Sequence, residues 1–283
     1  MTITALLLAI AFCGYKLRAI SVAYKEETKI KDKVSQYQPD YPVPIESIII
    51  EDDPTDTPVP LPEGDAEISD SDIEQITEHI DVQQPEYENT IINQNIVDLQ
   101  NEVNADIIGW LTIPDTNIDY PVVLADDNDY YLNRDIYGNQ AKGGSLFMDY
   151  RCAPNFSAPN TVIYGHNMKN RSMFGDLRKF ADSGFFDSNV SGTLYVKDNT
   201  YSLDIFAYMV VRADDVIIYD PYAERNIFDE YVGKKARRYR GPQGPGNIVT
   251  LSTCAYEFKD ARMILLAVIN PQFNNTSLSP STN

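Results

Sequence analysis

Cysteine, histidine and, over a long central stretch, any positive charge are scarce in this 283-residue chain, and each scarcity removes a class of protein. Three cysteines, Cys13, Cys152 and Cys254, are too few and too scattered for a disulfide scaffold or a cysteine-rich zinc site. With only two histidines, His79 and His166, and no EF-hand spacing among the acidic residues, neither a metal nor a cofactor is expected. A net charge of −19, with no Lys or Arg between Lys33 and Arg134, argues against nucleic-acid binding, because phosphate contacts need clustered cations. Gly143-Gly144-Ser145 lacks the Lys-Ser/Thr ending of a phosphate loop and reads as a turn.

Long apolar runs are also missing. The longest near the start, residues 3–15, falls short of the ~20 residues of a membrane helix. Extending it to Tyr24 supplies the length if Lys16 and Arg18 snorkel to an interface, so residues 1–24 are expected to form a membrane anchor. Residues 25–33 are basic and helix-favouring. Beyond them, residues 51–90 carry 14 Asp or Glu and five prolines, a composition that self-repels and cannot bury a core. Residues 25–90 are therefore expected to be a largely disordered acidic spacer, residues 91–270 a folded domain, and residues 271–283 a frayed tail.

Within 91–270 the patterning is mainly β. Ile96, Leu99, Val103, Ile107 and Ile108 recur at helical spacing before Gly109-Trp110-Leu111 turns to strand, with Trp110 the simplest core anchor. Strands are expected at residues 118–124, after the Gly143-Gly144 turn, at 161–167, and in a hairpin of 192–197 with 201–211. Short helices are expected at Asn170 to Phe180 and, in the long polar connection that follows, at Ala223 to Tyr239. Asn128 and Leu132, four apart, suit one face of a short helix, where capping and packing are ordinary roles.

The chemistry gathers at Ile248-Val249-Thr250-Leu251-Ser252-Thr253-Cys254, a buried-strand pattern closed by a cysteine. A thiol needs a His, a cation or a helix N-terminus nearby to become a good nucleophile. His166 ends the strand-like run Thr161 to Asn167, and Arg262 opens the apolar run that follows the cysteine. The period of two places Ser252 on the face of Cys254 and Tyr164 on that of His166. A structural buried cysteine is the plainer reading of Cys254, and Cys152, with no His near it in sequence, is read as structural.

These pieces resemble the sortases, and the class B branch of Gram-positive bacteria in particular: TLSTC, NTVIYGHNM and the downstream arginine, with YEF after the cysteine and NDYYLNRDIYG followed by KGGSLFMDYR. The similarity runs over roughly residues 95–270. It implies a closed, sortase-type β-barrel, mainly β (α+β), with an N-terminal helix and a helix-bearing loop before the cysteine strand. The resemblance implies a cysteine transpeptidase in which Cys254 attacks a sorting signal of a surface protein after a Thr, His166 passes the proton, and Arg262 steadies the carbonyl. The thioacyl group would go to a peptidoglycan-precursor amine or a pilin lysine. Asn128, Leu132, Tyr164, Ser252 and Thr253 are the expected substrate contacts, and Thr253 or the backbone N–H that follows is the expected second donor. A single-pass membrane location with the catalytic domain outside the cytoplasm goes with the same resemblance. A hydrolytic cysteine peptidase and a catalytically silent surface-binding barrel are the alternatives from other classes.

Overall fold

The computed structural model describes residues 3–39, 92–242 and 244–271; His79 and most of the acidic spacer lie outside them, as does nearly all of the C-terminal tail. The folded domain opens with helix α2 (Gln94–Glu102), which turns its apolar stripe, Ile96 and Leu99, inward. Nine strands follow: β1 (Ile107–Thr112), β2 (Asp119–Val123), β3 (Leu146–Met148), β4 (Asn160–Tyr164), β5 (Ser191–Val196), β6 (Asn199–Arg212), β7 (Arg238–Tyr239), β8 (Ile248–Cys254) and β9 (Ala261–Pro271). They run in the order β5-β1-β2-β3-β4-β8-β9-β6-β7. Because β6 also pairs with β5, the first eight close into a barrel and β7 remains an addition to β6. Closure removes the unpaired edges that an open sheet would expose.

Two neighbours in that circuit are parallel, β2 with β3 and β4 with β8. Parallel neighbours need long crossovers, and the molecule uses both to shape one end of the barrel. The β2–β3 connection holds a 3-10 turn at Tyr130–Asn133. The path from β4 to β8 takes in the β5–β6 hairpin and then helix α4 (Arg225–Lys235). Strand alternation sorts the side chains into layers: Leu111, Ile163, Val249, Leu251 and Leu265 fill the barrel. Phe206, Met209, Ile264 and Leu266 pack outside it with Phe228 and Val232 of α4. A third layer sets Ile96, Leu99 and Trp110 against Val34.

Val34 ends helix α1 (Ile3–Val34), in which the basic stretch 25–33 continues the helix of the apolar start. Among the described residues no helix is long and apolar enough to cross a membrane. This corrects the expected single-pass anchor. The apolar part stops where Lys16 and Arg18 enter, and the rest of α1 is rich in Lys and Glu. Its C-terminal end docks on the barrel instead, with Lys31 over the Tyr120 ring at 4.5 Å and donating to the Asn117 carbonyl.

Two expected helices are shorter than their patterns. Arg171 and Met173 have positive φ, which a right-handed helix forbids, so residues 170–174 are irregular. A 3-10 helix then covers Gly175–Ala181, and α3 (Ser183–Ser188) restarts at Asp182, whose side chain accepts from the Phe185 N–H. The helix expected at 223–239 ends at Lys235 because Arg238 and Tyr239 pair with β6 as β7.

Buried Thr161 of β4 has a hydroxyl without a hydrogen-bond partner among the described residues. A buried, unsatisfied hydroxyl costs on the order of 1 kcal/mol or more. Thr161→Val is expected to raise stability by about 1 kcal/mol, or roughly 2–4 °C in thermal midpoint; an unchanged or lower midpoint in thermal denaturation would show that the hydroxyl is satisfied.

Candidate active site

The parallel pair β4–β8 and the antiparallel pair β8–β9 bring the three sequence-predicted catalytic segments to one end of the barrel. Tyr164 pairs with Ser252, and the register continues as Gly165 N–H donates to the Ser252 carbonyl at 3.2 Å. Two residues further along each strand stand His166 and Cys254. On the other side of β8, Cys254 is the direct cross-strand partner of Arg262. Directly opposed residues share a face with Cβ atoms about 5 Å apart, which roots the Arg262 side chain beside Cys254; its Nη1 donates to the Ala261 carbonyl at 3.0 Å. Val249 and Leu251 belong to the interior layer. The period of two therefore puts Ser252 and Cys254 outside, Cys254 exposed at the strand end and Ser252 buried beneath the covering loop.

Thr253 turns the other way. It is buried beside its partner Met263 of the interior layer, and its hydroxyl finds no partner among the described residues. The expected contact from its side chain is thereby corrected, since the hydroxyl faces the barrel rather than the outer surface. The backbone donor after the cysteine is also engaged: Ala255 N–H donates to the Ala261 carbonyl at 2.9 Å in the β8–β9 hairpin. Of the donors considered from sequence, Arg262 is the one rooted on the face of Cys254, with one of its guanidinium nitrogens bonded to that same carbonyl.

His166 is held by its ring. Nε2 lies 2.7 Å from the Leu132 carbonyl, which can only accept, so Nε2 carries the proton and Nδ1 is left for exchange. That carbonyl belongs to the 3-10 turn, packed against Gly144 at a φ of +56°, where a Cβ would stand 2.5 Å from the Leu132 oxygen. Asn167 ties the next link: its Nδ2 donates to the Cys254 carbonyl at 2.7 Å, and its Oδ1 accepts from Arg178 at 2.6 Å. Gly165 permits the close approach of β4 to Leu146 and Phe174, with a Cβ there 2.4 Å from Leu146.

The outer face beside Cys254 is polar and aromatic. Tyr219, from the connection after β6, shares a hydrogen bond of 2.9 Å with Ser252 Oγ and stacks on Tyr164 at 6.1 Å between ring centroids. Burial pushes its phenol up to about 12, with Arg262 and Cys254 both close enough to act on it. Tyr164 donates to Asp149 at 2.8 Å, and burial together with that carboxylate raises its pKa. Asn128 donates to Asp149 at 3.2 Å and accepts from the Tyr150 N–H, while the Leu132 side chain is exposed.

A family model described as the sortase domain matches residues 111–270. The chain belongs to the sortase family. Its relatives place it in class B: it is 38% identical over 181 residues to sortase B of Listeria monocytogenes, a match covering 62% of this chain and 73% of that one. Among solved structures it is similar to a class B sortase of Streptococcus pyogenes involved in pilus biogenesis, at 31% identity and a TM-score of 0.58, covering 62% of this chain and 97% of that one. Sortase B of Bacillus anthracis matches at 34% identity and a TM-score of 0.57, covering 64% and 86%. As a class B sortase the protein is a cysteine transpeptidase, and the closed, mainly β barrel is that of its relatives.

Several residues around the sortase groove escaped sequence reasoning. Tyr219 sits in a polar connection whose path back over β8 is set by tertiary contacts: Asn160 of β4 donates to the Ile218 and Asp220 carbonyls and accepts from Thr250. Asn167 was legible only as a neighbour of His166. Cys152 is buried, as its surroundings in sequence implied, and burial pushes its thiol up to about 11. Alkylation of the native protein at pH 8, mapped by mass spectrometry, is therefore expected to modify Cys254 at least ~10-fold faster than Cys152. Equal rates would mean that the barrel does not protect Cys152.

Proposed function

We propose that Cys254, His166 and Arg262 carry an acyl transfer at the mouth between β4, β8 and β9. The observation that carries this reading is the exposed Cys254 directly opposite Arg262, with His166 two residues past the end of the adjoining β4 and its neighbour Asn167 bonded to the Cys254 carbonyl. The Cys254 thiolate attacks the carbonyl carbon of the scissile amide, forming a C–S bond. Arg262 donates hydrogen bonds to the oxygen as it gains negative charge. A guanidinium suits that place because it stays cationic and offers donors from a rigid plane. As the C–N bond breaks, imidazolium His166 gives the Nδ1 proton to the departing amine. An acceptor amine then attacks the thioester, its surplus proton returns to His166, and the thiolate leaves.

The substrate in this reading is a surface protein with an Asn-Pro-x-Thr-like sorting signal, cleaved after the Thr. The family supports sorting-signal substrates and amine acceptors. A pilin lysine fits the Streptococcus pyogenes relative's part in pilus biogenesis, and a peptidoglycan-precursor amine is the other acceptor of this class. Ser252, Tyr164, Asn128 and Leu132 remain substrate contacts in the proposal, Ser252 through the hydroxyl it shares with Tyr219. In this reading residues 91–270 form the catalytic domain, with residues 25–34 belonging to the docked end of α1, an acidic, proline-containing spacer after them and residues 271–283 a tail.

Incubation with a panel of sorting peptides should add the mass of the N-terminal fragment to Cys254, and Cys254→Ala should abolish the adduct. Added amine should divert product from acid to amide; a product split indifferent to amine would favour a peptidase. Arg262→Lys keeps the charge but not the fork, and is expected to lower kcat/KM on the order of 10²-fold with the adduct still detectable.

A further inference from the structure

Asp149, just after β3, accepts the most hydrogen bonds of any buried charge among the described residues, and the proposed chemistry does not employ it. It is wholly buried, and five donors converge on it. The Arg151 N–H and Nε reach Oδ1 at 3.0 and 2.8 Å, while Arg151 Nη2, Tyr164 OH and Asn128 Nδ2 reach Oδ2 at 2.8, 2.8 and 3.2 Å. Burial works to raise the carboxyl, and the hydrogen bonds from Arg151 and Tyr164 outweigh it and hold the group below the usual carboxylate range.

The pair is open on one side, with Asp149 buried and the Arg151 side chain 41% exposed, so solvent screening limits what it adds to stability. What distinguishes this one is where its donors lead. Tyr164 lies on β4, two residues before His166, and forms the floor under Tyr219. Asn128 leads to the 3-10 turn whose Leu132 carbonyl holds the His166 ring. Arg151 reaches the covering loop, donating from Nη2 to the Tyr219 carbonyl at 2.8 Å, while its own carbonyl accepts from Tyr222 OH at 3.1 Å. Tyr219 in turn meets Ser252, two residues before Cys254. Floor, wall and covering loop are thus tied to one carboxylate, the loop by way of Arg151.

We infer that Asp149 is a positioning residue that fixes the separation of the groove's floor, wall and covering loop, and so sets how tightly an extended sorting peptide is gripped beside Cys254. The inference rests on the transfer reading above, and it adds a residue remote from the reacting atoms. Asp149 orients Arg151, Tyr164 and Asn128 without touching the scissile amide, so its loss should act on binding of peptide and spare the thiol itself.

The test is Asp149→Asn in the full chain, which keeps the shape and removes the charge. With a fluorogenic sorting peptide that acylates the wild type, KM is expected to rise on the order of 10-fold while kcat stays within about threefold. Alkylation of Cys254 by iodoacetamide should stay within about twofold, since that reagent needs no groove. Arg151→Lys and Arg151→Gln keep the carboxylate and each remove part of its network; each should raise KM by a smaller factor, and they carry the test if Asp149→Asn does not fold. A folded Asp149→Asn, or both lesser variants, with wild-type KM would overturn the inference. So would a fall in kcat and alkylation together, which would place the effect on the thiol. Neither result bears on the transfer reading, which stands or falls on the Cys254 adduct.

Discussion

Everything at the open end of this barrel depends on the register of β8 between its two neighbours. A strand's side chains alternate, so a slip of one residue on either side would send Cys254 to the opposite face from Arg262 or from the end of β4. The register is held by pairing along the whole of β8, from Ile248 opposite Asn160 and Val268 to Cys254 opposite Arg262. The interior layer reinforces it, because Val249 and Leu251 can fill the barrel only in that frame. The site is therefore fixed by the same burial that stabilises the fold.

Around this rigid pair the polar residues work by sharing. A carboxylate taken out of water is tolerated when donors replace its hydration, and Asp149 has them from Arg151, Tyr164 and Asn128. The same economy appears at Asn167, which spans the Cys254 carbonyl and Arg178, and at Asn160, which seats the covering loop. The exposed thiol thus stands at the end of a strand whose surroundings are hydrogen-bonded to one another. Pre-ordering of this kind lowers the cost of aligning a substrate.

Much of this was legible in one dimension. The apolar alternation at 248–254 and the short run before His166 marked two buried strands, and a cysteine and a histidine at their ends marked the chemistry. The hairpin of β5 and β6 and the helix in the connection before β8 were visible for the same reason, since period and turn residues are local. The N-terminal segment misled because a 13-residue apolar run was read as the core of a longer span, whereas the charges that follow make α1 a docked helix at its C-terminal end. The Asn170 to Phe180 pattern misled because Arg171 and Met173 take positive φ, a backbone choice that the spacing of apolar residues does not record.

The sequence alone marked Cys254, His166 and Arg262 as the residues of the proposed chemistry, because each sits on or beside a segment whose burial pattern is written in neighbouring residues. It also determined that Ser252 shares a face with Cys254, for the pleat leaves no choice. Only the tertiary structure decided that Thr253 faces the barrel, that the Ala255 N–H is engaged in the hairpin, and that the Leu132 backbone reaches His166. It alone gathered Asn128, Tyr164, Arg151 and the covering loop about Asp149. Those outcomes depend on which strands become neighbours when the barrel closes, and closure joins residues too far apart in the chain for any local pattern to record.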